Sequence, residues 1–235
     1  MRMKKLFGIS VLIIIIISSY SQEDNTLTPD TQRYQTRGNN DEIQTLFTKD
    51  GKTSHGAYGG INLFYTNLGM NSLNRNAFIL GMKGAWVIDH VFEIGLDVNS
   101  FISEAKPDAL LGNSSYLYTG GYGGVLLAFN IFPTKPINVS IPITIGAGGV
   151  SYMGNYYSYD EYYDYYPESF YGYFLVQPGV ELQLNMTKFM RIAIHASYRY
   201  TSNIYLEYSI SPDLIGNENL MRGFNLGASV KFGKF

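Results

Sequence analysis

Ile137-Asn138-Val139-Ser140-Ile141-Pro142-Ile143-Thr144-Ile145-Gly146-Ala147 alternates with a period of two. Ile137, Val139, Ile141, Ile143, Ile145 and Ala147 share one face, and Asn138, Ser140, Pro142, Thr144 and Gly146 share the other. That period is the signature of a β-strand with two unlike environments. Met190 to Thr201 repeats it. Met190, Ile192, Ile194, Ala196, Tyr198 and Tyr200 oppose Arg191, Ala193, His195, Ser197, Arg199 and Thr201. Working outward from these two runs, the same period gives eight segments: 55–68, 76–88, 91–103, 116–132, 137–153, 170–185, 190–205 and 222–235. In the fourth, Val125, Leu127, Phe129 and Ile131 are expected on the apolar side.

The connections alternate in length. Asp89-His90, Pro133 to Pro136 and Met186 to Lys188 are short, and the connections after the first, third, fifth and seventh segments are long. Each segment exceeds the roughly 9–11 tilted residues that span a bilayer. An even strand count with short turns at one end and long loops at the other is the pattern of an outer-membrane barrel. The expected fold is therefore all-β: an eight-stranded antiparallel transmembrane up-and-down β-barrel with periplasmic N- and C-termini. A lipocalin-like barrel or soluble sandwich would use the same alternation inside out. The apolar face, continuous and almost free of charge, favours the lipid-facing arrangement. Aromatics near the segment ends (Tyr65, Trp86, Phe92, Tyr118, Phe132, Tyr152, Phe170, Tyr173, Tyr198 and Tyr200) are expected to form interfacial girdles.

Composition agrees. Charged residues are 15% of the 235, aromatics another 15%, and the net charge is −2. The mean hydropathy of −0.05 excludes a polytopic helical membrane protein. The net charge leaves no basic footprint for nucleic acid. The absence of cysteine removes disulfides, thiolate metal sites and thiol nucleophiles. No cofactor and no metal site are expected.

The first 21 residues read as a signal peptide: Arg2, Lys4 and Lys5, an apolar run from Leu6 to Ile17, then small residues at Ser19 and Ser21. Residues 22–54 are polar and aperiodic, the composition of a disordered periplasmic segment. Residues 55–235 hold the barrel. The protein is thus expected in the outer membrane of a Gram-negative bacterium, among outer-membrane lipids and lipopolysaccharide. Periplasmic chaperones and the barrel-assembly machinery would handle it on the way.

His55 to Gly60, Gly84 to His90, Gly121 to Gly124, Gln177 to Glu181, Ser197 to Tyr200 and Val230 to Phe235 resemble, in this order, blocks of a small outer-membrane β-barrel family of Bacteroidota, porin-superfamily-like and functionally uncharacterised. The resemblance spans 55–235. It implies an eight-stranded barrel with a signal peptide and implies no activity. Phe232 and Phe235 resemble the C-terminal aromatic signal read by the barrel-assembly machinery. Phe235 has the opposite parity to Phe224, Leu226, Ala228, Val230 and Phe232, so either Gly233 marks a bulge or the last residue leaves the strand.

Projected inward, the polar parity gathers Lys83, Glu93, Asp97, Glu181, Arg191, His195, Arg199 and Lys231 in the lumen. An eight-stranded barrel is just wide enough for side chains to fill. Buried charges are costly unless paired, so an ion-pair network plugging the interior is expected, with a narrow channel or transporter for a small solute as the alternative. His195, Ser197 and Glu207 set a hydrolase reading beside these. An eight-stranded lipid A deacylase uses a His-x-Ser pair with a downstream Glu, but the parity here turns the pair away from lipid. No enzymatic activity is expected. The fifth connection, with Tyr156, Tyr157, Tyr159, Asp160, Glu161, Tyr162, Tyr163, Asp164, Tyr165 and Tyr166, reads as an extracellular contact surface for a partner, a glycan or neighbouring lipopolysaccharide, with a plain solvated loop as the alternative. The glycine runs Gly120 to Gly124 and Gly146 to Gly149 lack the lysine and helix of a phosphate loop. They are expected to make room for Tyr rings.

Overall fold

The computed structural model describes residues 53–69, 75–112, 114–154 and 167–235. The signal peptide, nearly all of the polar segment and the tyrosine-rich stretch 155–166 lie outside the described residues. The elements are β1 (His55–Leu68), β2 (Arg75–Ile88), β3 (Phe92–Ser103), β4 (Lys106–Asp108), β5 (Ser114–Ile131), β6 (Ile137–Gly154), β7 (Pro167–Asn185), β8 (Met190–Thr201), β9 (Glu207–Tyr208), β10 (Ser211–Leu214) and β11 (Gly223–Lys234).

Eight of these form the wall. β1, β2, β3, β5, β6, β7, β8 and β11 pair antiparallel in that order, and β11 pairs back onto β1. The sheet therefore has no free edge, so the wall strands pair on both sides. The eight segments expected from the period match these strands to within three residues at every end but one. Strand β8 stops at Thr201, and residues 202–205 leave the wall.

The turns have local causes. Asp89 and His90 both take positive φ, +50° and +62°, and Val91 N–H donates to Ile88 O at 3.0 Å. Two left-handed residues in a row make the hairpin turn whose twist matches the flanking strands. Lys135 N–H closes the next tight connection onto Phe132 O at 3.0 Å. β4 extends the edge of β5 beyond the wall, and β9 with β10 forms a small hairpin in the last long connection.

Alternation sorts the side chains by wall face. Ile61, Leu63, Phe78, Leu80, Met82, Trp86, Leu96, Val98, Ile145, Phe174, Leu182 and Ile194 point outward and are exposed, Phe174 at 76%. Val125 and Phe129 are also outward, with Leu126 and Ala128 buried between them. The outward placement expected of girdle aromatics is seen for Tyr65, Trp86, Phe132, Phe170 and Tyr200, which are exposed, with Phe92 and Tyr198 half-buried. It fails for Tyr118, Tyr152 and Tyr173, which are 0–3% exposed. These three have the inward parity of their strands, and their rings fill the long-loop half of the lumen.

Glycines on the inner face supply the space. A Cβ on Gly148 would meet Tyr122 Cβ at 2.6 Å and Tyr173 Cζ at 2.8 Å. Gly148→Ala therefore forces two packed rings apart and is expected to cost about 1–3 kcal/mol. Gly59→Ala, where a Cβ meets nothing within 4 Å, is expected to leave stability unchanged. Urea midpoints of the two variants in detergent micelles check the pair.

Strand β11 keeps a continuous register with β1 through Tyr58–Gly233 and Ala57–Lys234, so Gly233 carries no bulge. Phe232 is outward and half exposed, whereas Phe235 follows the inward parity.

Candidate functional site

The lumen is the site, and it is built in layers from the short-turn end to the long-loop end. At the short-turn end the Phe235 ring stacks on Tyr58 at 5.4 Å between centroids, and Arg191 Cζ lies 4.0 Å above Phe235. Tyr58 donates its hydroxyl to Glu93 Oε2 at 2.6 Å, and Asn130 Nδ2 donates to Glu93 Oε1 at 2.8 Å. His90 Nδ1 lies 2.6 Å from the Phe235 carbonyl oxygen.

The middle layer centres on Glu181. Lys83 and Lys231 both pair with it, Lys231 at 2.6 Å, and Gln183 Nε2 donates to it at 2.9 Å. His195 Nδ1 stands 3.1 Å from the same carboxylate. Asp97 accepts from Asn62 Nδ2 at 3.2 Å and Thr144 Oγ1 at 3.1 Å. Register explains the convergence: Lys83 faces Gly60 across β1–β2, Gly60 faces Lys231 across β1–β11, and Lys231 faces Arg191 on β8. The missing side chain at Gly60 leaves room for both lysines to lean toward Glu181 from the far wall.

All eight lumenal residues expected from sequence are buried, from 0% to 6% exposed. Lys83, Glu181, His195, Lys231 and Glu93 come together. Arg191 binds Gln183 Oε1 at 3.4 Å and the Phe235 face rather than a carboxylate. Arg199 donates Nε to Met221 O at 2.7 Å and stacks over Tyr122 at 5.1 Å. Among the described residues, no three or more acidic or histidine side chains are placed to hold a metal ion. The expected contact residues Tyr156 to Tyr166 lie outside the described residues.

The hydrolase geometry is absent among the described residues. The carboxylate beside His195 is Glu181, whereas Glu207 is exposed on β9. Ser197 Oγ accepts from Gln177 Nε2 at 3.2 Å and Asn225 Nδ2 at 3.3 Å, and His195 Nε2 has no hydrogen-bond partner.

At the long-loop end the structure adds what the period could not show. Ile204, Leu206, Ile215, Leu220 and Met221 fold back over the mouth and bury against Phe64, Leu68, Ile79, Phe101, Tyr118, Tyr122, Tyr152, Tyr173 and Leu175. Two further charges hold this cap. Arg75 donates Nη1 to Tyr116 O and Nη2 to Tyr152 OH at 3.2 Å, with Cζ 4.9 Å from the Tyr118 ring centroid. Asp108 Oδ2 accepts from Tyr152 OH at 2.6 Å and Tyr208 OH at 2.8 Å. Arg75 was legible in principle, since it has the parity of Lys83. It lies one residue outside the segment drawn from the period. Asp108 sits in a loop and carried no signal.

Burial opposes the charged form of Asp108. The hydrogen bonds from Tyr152, Tyr208 and the Leu110 N–H, with Arg75 nearby, outweigh it and hold the carboxyl below its usual range. A depressed folded-state pKa contributes stability above the unfolded value of about 3.9 and loses it as pH falls through the folded value. The cap is thus expected to be fully latched at neutral pH and to loosen only in stronger acid. Protection factors of the Ile204, Ile215 and Leu220 amides, which are hydrogen-bonded within the cap, should fall on acidification. In Asp108→Asn they should already be lower at neutral pH and change less with acid.

The class is now defined: a closed, eight-stranded up-and-down β-barrel with an apolar outer wall and a charged, ion-paired interior. No family model matches the chain, and no curated protein matches it. Solved structures similar to it include the crystal structure of Neisserial surface protein A, with TM-score 0.49 and 10% identity over 78% of this chain and 99% of that one. Another is the attachment invasion locus protein Ail of Yersinia pestis, solved in complex with the heparin analogue sucrose octasulfate, with TM-score 0.43 and 13% identity over 76% and 99%. Ail in a phospholipid bilayer nanodisc has TM-score 0.36 and 16% identity over 75% and 99%.

Proposed function

We propose that this chain is an outer-membrane β-barrel protein of a Gram-negative bacterium, with a structural, envelope or surface-contact role and a lumen plugged by its own side chains. One observation carries the reading: the closed wall exposes Ile, Leu, Phe, Met and Trp outward while Arg75, Lys83, Glu93, Asp97, Glu181, Arg191, His195, Arg199 and Lys231 are all buried. A wall strand in water would do the reverse, because an exposed apolar belt of this extent has no partner but lipid or protein. Closure of the ring supports the same conclusion, since unpaired backbone in hydrocarbon costs several kcal/mol per group.

In this reading the short turns and Phe235 face the periplasm, and the cap and the tyrosine-rich connection face outward. Residues 1–21 direct export and Phe232 contributes to recognition during assembly. Outer-membrane lipids, lipopolysaccharide and a surface partner of the long loops are its contacts, with periplasmic chaperones and the assembly machinery as transient ones. The Bacteroidota-type, porin-like kinship rests on the sequence blocks alone. The protein works without enzymatic chemistry.

The test has two parts. Unboiled protein folded in detergent should migrate differently from boiled protein on a gel, and coincident bands would sink the barrel. In planar bilayers it should give no large, steady single-channel conductance. Stepwise openings that vanish on unfolding would replace the plugged barrel with the narrow-channel reading.

A further inference from the structure

The outer surface is not electrically even from end to end. At the short-turn end its exposed charges are Lys135 in the β5–β6 turn, Lys188 in the β7–β8 turn and Lys234 at the end of β11. Among the described residues none of these lysines pairs with a carboxylate. Asp89, the carboxylate of the β2–β3 turn, is half-buried, and its Oδ1 accepts from Ser54 N–H at 2.7 Å. At the long-loop end the sign reverses: Glu104, Glu207, Asp213 and Glu218 outnumber Lys106 and Arg222 among the described residues.

The lysines stand on one continuous arc. Asn185, where β7 ends, donates Nδ2 to Lys135 O at 2.7 Å and to Pro133 O at 3.3 Å, and Gly233 N–H donates to Phe189 O at 2.9 Å. These bonds tie the β5–β6 turn to the β7–β8 turn, and that turn to the end of β11. Large apolar side chains flank each lysine: Phe132 and Ile137 by Lys135, Met186 and Phe189 by Lys188, and Phe232 by Lys234, all 50–68% exposed. A lysine so placed lays its stem along the apolar surface and lifts its ammonium to the headgroups.

We propose, resting on the lipid-facing reading of the wall, that this arc binds phospholipid headgroups of net negative charge in the leaflet that meets the short turns. Acyl chains pack on Phe132, Phe189 and Phe232, and phosphate oxygens accept from Nζ of Lys135, Lys188 and Lys234. Charge complementarity selects this occupant. The arc sets cations without an ion pair directly beside the apolar belt, whereas the acidic long-loop end repels the same headgroups.

The chain carries its own reporter. Trp86, its single tryptophan, is outward and half exposed at the same end, across Ala57 from Lys234. The full chain is folded into phosphatidylcholine vesicles that contain a brominated quencher lipid, either phosphatidylglycerol or phosphatidylcholine. At low salt the brominated phosphatidylglycerol should bind beside Trp86 about fivefold more tightly than the brominated phosphatidylcholine, the effect of one lysine at an anionic surface. The ratio should fall toward one as salt rises, and Lys234→Gln should bring it toward one at low salt. Phe189→Trp in a Trp86→Phe background reads Lys188 in the same way, with Lys188→Gln as its control. Phe170→Trp in that background reports from the long-loop end and should show no preference for phosphatidylglycerol. Equal binding of the two lipids beside Trp86 would overturn the proposal and leave the lysines to an acidic periplasmic partner. A preference that survives Lys234→Gln and Lys188→Gln, or one equally strong at position 170, would overturn it too. Quenching by neither lipid would sink the lipid-facing wall itself.

Discussion

Glu181→Leu should destabilise the barrel by about 3–5 kcal/mol, the cost of breaking a buried ion pair from one side. The reason is geometric. Glu181 is fully buried and pairs with Lys83 through Oε1 and with Lys231 through Oε2, with His195 against Oε1. Remove it and two ammonium groups lose their direct partner, while Asp97, the neighbour of Lys83 across β2–β3, already accepts from Asn62 and Thr144. Glu93 lies 4.0 Å from Lys231 and is already occupied by Tyr58 and Asn130. The same physics predicts rescue. Lys83→Met and Lys231→Met placed on top of Glu181→Leu should recover most of the loss, because replacing a buried triad by packed apolar groups is often neutral or stabilising. Urea unfolding in micelles, read as a multiple-mutant cycle, measures both. A single variant as stable as the parent would show that the lysines find water, and hence that the lumen is open.

The second large effect lies on the other face of the wall. Met82→Arg is expected to cost about 2–4 kcal/mol in a bilayer, the penalty for a cation on the lipid face near the midplane. Met82 is 63% exposed at the middle of β2, in register with Ile61 on β1 and Val98 on β3, which are exposed as well. If that surface met water, a polar substitution there would change stability by no more than about 0.5 kcal/mol. Folding titrations into phospholipid vesicles separate the two outcomes. A neutral Met82→Arg would remove the lipid-facing assignment whatever the lumen contains.

These two variants probe opposite faces of one alternation, and the alternation is what the chain itself declares. Ile137 to Ala147 and Met190 to Thr201 could only be strands with two unlike sides, because a period of two matches no helix. Eight such runs with alternating short and long connections leave few topologies beyond an up-and-down barrel. The sorting of Lys83, Glu181, Arg191 and Lys231 to one parity followed from the same period. Parity is local, fixed by the pleat of each strand, so it can be read without knowing any neighbour.

What parity cannot provide is register across the wall or the path of a long connection. Lys83 and Lys231 share a carboxylate only because Gly60 stands between them and Glu181 reaches across from β7. Tyr118, Tyr152 and Tyr173 looked like girdle residues by position along the chain. They fill the mouth because each has the inward parity of its strand, which position along the chain alone ignores. Residues 206–221 read only as a long connection, yet Leu206, Ile215, Leu220 and Met221, with Ile204 from the end of the seventh expected segment, close the barrel, since an aromatic cup left open would present apolar surface to water. The chain by itself determined which face of each strand is greasy, because that depends on neighbours two residues away. Which charges meet and what seals the mouth depended on residues more than a hundred positions apart, such as Glu93 and Lys231, and only the closed ring brings those together.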